Sequence, residues 1–195
     1  MRIKLSQESI DFAVHEGEEI FQNSCSLARG DTILTKIDNC LVGTFGQQVF
    51  MQATNGHRVT REECPRFAYD VLTNNESVRV YCGWSDSREA SAPARVEVKV
   101  RRVRSGEARK WISFSNQKFK HVTRCAESNM LDYVVFYAAQ NVNLDSYEAD
   151  VTFLGIISAT VLNQPDLRRP SMYAEGDSFL NTDRIHRRNL GRILL

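Results

Sequence analysis

A chain of 195 residues with 42% hydrophobic content is long enough for one sizeable core plus extensions and short for two independent domains. The formal charge of +1 hides an uneven distribution: residues 95–124 carry ten Lys/Arg against Glu97 and Glu107, or +8, and residues 1–38 carry four against seven, or −3. No apolar stretch approaches a membrane span and the N-terminus lacks the apolar core of a secretory signal, which excludes a membrane partner and points to a cytoplasmic protein.

The five cysteines, Cys25, Cys40, Cys64, Cys82 and Cys125, are widely separated and show no CxxC or Cys/His spacing, so they read as reduced thiols. In chain order, residues 6–29 read as a helix with Ile10, Val14, Ile20, Phe21 and Leu27 set among polar side chains. A second helix is predicted at 38–54, capped by Asp38, striped by Leu41, Val42, Phe45, Val49 and Phe50, and stopped by Asn55-Gly56. Residues 67–73 and 77–84 read as strands joined by a hairpin turn at Asn74-Asn75-Glu76. A polar loop, 85–93, leads to strands at 94–103 and 110–114, then a basic helix at 117–129 and two apolar strands at 131–139 and 150–158. Beyond Pro165, turn and basic signals alternate in an appendage with one short helix near 181–190.

This order gives a mixed central β-sheet flanked by helices, an α/β class, without repeats or low-complexity tracts. It divides the chain into a helical N-terminal extension (1–38), an α/β core (39–163) and a basic C-terminal appendage (164–195).

The 94–103 strand carries the chemistry. In Arg95-Val96-Glu97-Val98-Lys99-Val100-Arg101 the valines face a core while Glu97, Lys99 and Arg101 project from the other side. A carboxylate and an ammonium two residues apart on one strand face can hold a metal ion with a water beside it. An upstream acid would complete the outline of a nuclease site.

Gly43-x-x-Gly46-Gln47 on a helix ending at Asn55-Gly56, then Tyr69-Asp70-Val71-Leu72, Val96-Glu97-Val98-Lys99, Trp111-Ile112-Ser113-Phe114 and Leu131-Asp132-Tyr133-Val134-Val135-Phe136, resembles the PD-(D/E)XK nuclease superfamily, most of all its small restriction and resolvase-like endonucleases. The resemblance spans about residues 40–160 and implies a restriction-endonuclease-like core. It also implies a Mg²⁺-dependent site, open to Mn²⁺, that hydrolyses DNA phosphodiesters in restriction, resolution or repair. By resemblance Asp70 and Glu97 are metal ligands, the Val98 carbonyl adds a third oxygen, and Lys99 orients or helps deprotonate the attacking water and offsets transition-state charge. Gln47 stands where the family usually has Glu, so it lends an amide oxygen but no charge, and a second metal site is weakened. Asp70 precedes Glu97 by 27 residues; Asp86, 11 residues before Glu97, is the rival acid.

Arg101, Arg102, Lys110, Lys118, Lys120 and Arg124, with Trp111 and Phe119 among them, form a track for a nucleic-acid backbone, and Arg187, Arg188 and Arg192 would extend it. RNA remains a second polymer and a homodimer is allowed. His15, His57, His121 and His186 do not pair at metal-binding spacing. Two other functions fit the chain: a catalytically silent nuclease-like fold that binds nucleic acid or protein, and an assembly protein whose arms, 1–38 and 165–195, reach neighbouring subunits.

Overall fold

The computed structural model of the protein describes residues 1–23, 32–60, 62–64, 68–84, 87–103, 111–162, 168–172, 181–186 and 191. A short strand, β1 (Arg2–Lys4), leads into helix α1 (Gln7–Asn23). Helix α2 spans Ile33–Thr54. Its N-cap is Thr32, whose hydroxyl accepts from the Thr35 N–H at 3.1 Å, so Asp38 lies exposed inside the helix and caps nothing. The other end follows the sequence: Asn55 adopts the left-handed conformation (φ 51°) and returns its N–H to the Met51 carbonyl.

Two glycines let these helices approach their supports. A Cβ on Gly17 would stand 2.7 Å from the Ile37 Cα, so α1 lies directly on α2. On Gly46 it would stand 2.4 Å from the Val100 Cγ2, which seats α2 against the central strand.

After β2 (His57–Arg58) and β3 (Val71–Asn74) comes helix α3 (Asn75–Cys82), where the sequence predicts a turn and a strand. Asn74 caps α3 by accepting from Ser77 N–H at 2.8 Å, Gly83 closes it at φ 59°, and Val78 and Cys82, one turn apart, are buried. The β-branched alternation of Val78-Arg79-Val80 is overridden by this capping and by burial at helical spacing. Strands β4 (Pro93–Arg102) and β5 (Trp111–Ser115), helix α4 (Asn116–Glu127), and the hairpin of β6 (Tyr133–Asn143) and β7 (Glu148–Ser158) follow the predicted order.

One sheet runs β1-β7-β6-β4-β3-β2. Its neighbours are antiparallel except β4 and β6, which are parallel and therefore need the long crossover through β5 and α4. The protein is thus α/β, with a mixed six-stranded sheet and flanking helices. Phe45, Val49 and Phe50 of α2 pack on one sheet face with Val71, Val96, Val98, Tyr133, Val135 and Tyr137. Val122 and Cys125 of α4 pack on the other with Val134, Phe136 and Ile157. Each large apolar side chain so enclosed contributes about 2 kcal/mol.

A second sheet, β5-β9-β8, forms from β5, β8 (Arg168–Met172) and β9 (Asn181–His186). Residues 181–186 are therefore strand where the sequence predicts a helix: they alternate and pair with β5 from Trp111↔His186 to Ser115↔Thr182. A strand draws its hydrogen bonds from a partner, and that partner is distant in sequence. Similarly, the described part of 1–38 is packed on the core, β1 on β7 and α1 on α2. Cys40, Cys64, Cys82 and Cys125 are free thiols, and Cys25 lies outside the described residues. Among the described residues no helix is long and apolar enough to cross a membrane.

Candidate active site

The place where β3 gives out beside β4 organises the site. β3 pairs with β4 only from Asn74↔Pro93 to Val71↔Val96, whereas on its other edge β4 stays paired with β6 through Arg102. At the end of β3 the Asp70 N–H donates to the Val96 carbonyl at 3.0 Å. Its Oδ2 then accepts from the Val98 N–H at 2.7 Å, taking the place a ladder carbonyl would have had. A residue's N–H and C=O point to the same edge of a strand, so the Val98 carbonyl faces this notch as well.

Glu97 and Lys99 alternate with the buried valines as strand geometry demands. Their β6 neighbours are Val134 and Phe136, both in the cluster under α4, so the two side chains start from the α4 face of the sheet. Glu97 is only 5% exposed, and its Oε1 accepts a hydrogen bond from the Lys99 ammonium. Asp70, Glu97 and Lys99 therefore come together in one cluster, formally two negative charges against one positive.

The charge balance shows in the acidities. Burial pushes the Asp70 carboxyl up to about 7, the Glu97 charge and a carboxyl hydrogen bond with Glu97 add to it, and Lys99 and the Val98 N–H act against it. For Lys99, burial works to lower the pKa, but Glu97 and then Asp70 outweigh it and hold the ammonium charged. At neutral pH the Asp70 carboxyl is close to half-protonated, and a cation placed between the carboxylates would drive that proton off.

Gln47 sits elsewhere in the arrangement. Buried on α2, it accepts through Oε1 from the Nε–H of Arg58 at 3.3 Å. Arg58, on β2, also donates to the Ser9 hydroxyl of α1 at 3.2 Å and lies over the Phe12 ring at 4.2 Å. Burial lowers its pKa, opposed by the more distant charges of Glu8, Glu16 and Asp70. Glu16 also adds a small upward push on Lys99. Sequence reasoning misses Arg58, Ser9 and Glu16. A two-residue strand leaves no periodicity to detect, and α1 is a neighbour of the site only through tertiary packing.

Some residues of the basic track fall within the described part of the structure. Lys120 and Arg124 are exposed one turn apart on α4, which covers the sheet face from which Glu97 and Lys99 project. Arg102 is exposed and donates to the Val142 carbonyl at 3.4 Å, while Arg101 is half-buried. Lys110, Asp86, Arg187, Arg188 and Arg192 lie outside the described residues, as do the side chains of Trp111, Lys118 and Phe119.

The oxygens available in the notch are two carboxylates and one carbonyl. Among the described residues no three His, Cys, Asp or Glu side chains gather for a metal. That donor set suits Mg²⁺, which keeps several waters and needs only one or two carboxylates, better than Zn²⁺ or Ca²⁺.

A neighbouring cluster is structural. Asp132, 9% exposed, accepts from the Arg95 backbone N–H (2.8 Å), Nε (2.9 Å) and Nη2 (3.0 Å), and from Arg88 Nη1 at 2.7 Å. Burial pushes its pKa up, but the Arg95 hydrogen bonds outweigh burial and hold the carboxyl below its usual range. This network pins the start of β4 to the start of β6, and so fixes the strand that presents Glu97 and Lys99. No family model, curated protein or solved structure matches this chain.

Proposed function

We propose that the protein is a divalent-metal-dependent endonuclease with a restriction-endonuclease-like core, hydrolysing DNA phosphodiesters in a restriction, resolution or repair setting. One observation carries this reading: Asp70 and Glu97 share a notch with the Lys99 ammonium, where β3 ends and the Val98 carbonyl faces outward. A bound Mg²⁺ would supply charge neutralisation at a non-bridging phosphate oxygen and a water of lowered pKa. Asp70, Glu97 and the Val98 carbonyl are the residues that would hold it. Lys99, kept charged by Glu97, orients a water by donation and offsets the negative charge that builds on the phosphate. Lys120 and Arg124 then lie on the helix over the same sheet face, placed to follow a polyanionic backbone.

With Mg²⁺ or Mn²⁺ the protein should nick or cut plasmid, single-stranded or branched DNA. Glu97→Gln and Lys99→Ala should each abolish cutting in folded protein, and Ca²⁺ should support binding without turnover.

A silent nuclease-like fold is the second reading, favoured by how fully the cluster satisfies itself: Asp70 holds the β4 ladder and Lys99 neutralises Glu97. Purified protein that binds DNA yet cuts none of these substrates with either metal would establish it in place of the first.

A further inference from the structure

Arg58 poses a question that its packing does not answer. A half-buried guanidinium is normally matched by a carboxylate, because removing a cation from water is expensive unless it is paired. Here every direct contact among the described residues is neutral: the Gln47 amide oxygen at 3.3 Å, the Ser9 hydroxyl at 3.2 Å and the Phe12 ring at 4.2 Å. These contacts come from three elements, α1, α2 and β2, and they fix the plane of the guanidinium. They use one Nε–H and one Nη2–H of its five donors, leaving donors for a ligand.

The position is also specific. Arg58 is the register partner of Val71, and the next residue, Val59, donates its N–H to the carbonyl of Asp70 at 3.0 Å. Arg58 therefore stands one residue from Asp70 across the β2–β3 ladder, with its side chain leaving the sheet on the α2 face, opposite the face from which Glu97 and Lys99 start. Gln47 completes the pattern. A carboxylate at that position would have paired with Arg58 and cancelled its charge, whereas the amide orients the guanidinium and leaves the charge intact.

We propose that Arg58 is a phosphate-binding residue beside this site: its guanidinium, aimed by Gln47, Ser9 and Phe12 on the α2 face of the sheet, takes a non-bridging oxygen of a phosphodiester in the bound nucleic acid. The inference rests on the nuclease reading for the identity of the anion and goes beyond it in naming the residue that receives it.

The experiment measures duplex DNA binding by fluorescence anisotropy in Ca²⁺ across a salt series for wild-type, Arg58→Met and Arg58→Lys protein, with urea midpoints to verify folding. Arg58→Met should bind about tenfold more weakly, as for loss of one charge-assisted hydrogen bond. Its salt slope should fall by about 0.9, one phosphate contact, and Arg58→Lys should restore the slope. A purely structural clasp would not alter that slope, so an unchanged slope in folded Arg58→Met protein overturns the proposal.

A second measurement needs no variant. The Arg58 Nε–Hε resonance of the wild-type protein, assigned through its own backbone, should shift when the duplex is added, and a resonance that stays put also overturns the proposal. Cleavage in Mg²⁺ is scored separately. An Arg58-dependent slope without any cutting leaves the phosphate contact standing and removes the nuclease reading, while cutting with an unchanged slope does the reverse.

Discussion

Replacing Asp70 by Asn should stabilise the protein, and by an amount that depends on pH. An unfolded aspartate titrates near 3.8, and burial beside Glu97 carries the folded carboxyl up to about 7. Between these values the folded state holds a proton that the unfolded state has released, so stability falls as pH rises through the window, and the full penalty is present above about pH 7. The two acidities correspond to roughly 4 kcal/mol, an upper figure because the charges of Glu97 and Lys99 act together on the same buried carboxyl. Asparagine keeps an oxygen to accept from the Val98 N–H and carries no charge. Its advantage over wild type should therefore be near zero at pH 4 and roughly 2–4 kcal/mol at pH 8, which at a urea slope of about 2 kcal/mol/M is a midpoint shift of about 1–2 M. Urea denaturation followed by circular dichroism at both pH values measures this directly, since other titrating groups cancel in the difference. Addition of Mg²⁺ at pH 8 should raise the wild-type midpoint, by about 1.4 kcal/mol at tenfold over its dissociation constant, and leave the variant unmoved. A difference that does not change with pH, or a variant less stable than wild type at pH 8, would refute the assigned electrostatics.

Three further outcomes follow from the packing. Asp132→Ala, which takes the shared carboxylate away from Arg95 and Arg88, should lower stability by about 3–5 kcal/mol, and a loss under 1 kcal/mol in urea melts would show the network to be surface-like. Gly46→Ala puts a methyl group 2.4 Å from Val100 Cγ2 and should destabilise by about 1–3 kcal/mol, read as a drop in melting temperature; an unchanged value would mean that α2 can lift from β4 freely. Joint replacement of Lys118, Lys120 and Arg124 by alanine should weaken DNA binding across sequences and reduce the salt slope by about 0.9 per lost phosphate contact, with Lys120 and Arg124 exposed and stability little changed. An unaltered slope would make α4 a solvated face only.

The sequence by itself determines the elements whose stabilising pattern is local. The apolar stripe and the Asn55 stop of α2, the strict alternation of β4 and the apolar runs of β6 and β7 fix their type within the chain segment, because each periodicity matches one backbone geometry. The same logic places Glu97 and Lys99 on one side of β4. Only the tertiary structure decides the rest. Residues 77–82 carry a strand-like alternation, yet Asn74 and the burial of Val78 and Cys82 make them helix. Residues 181–186 become strand because β5 offers them an edge, and β1 and β2 are too short to declare themselves before a partner is present. The nearness of Asp70 to Glu97 is a matter of cross-strand register, and the delivery of Arg58 by Gln47 and Ser9 depends on α1 crossing α2 over Gly17. Periodicity says which way a side chain points from its own strand; what it meets there is set by contacts between residues far apart in the chain, which no local pattern encodes.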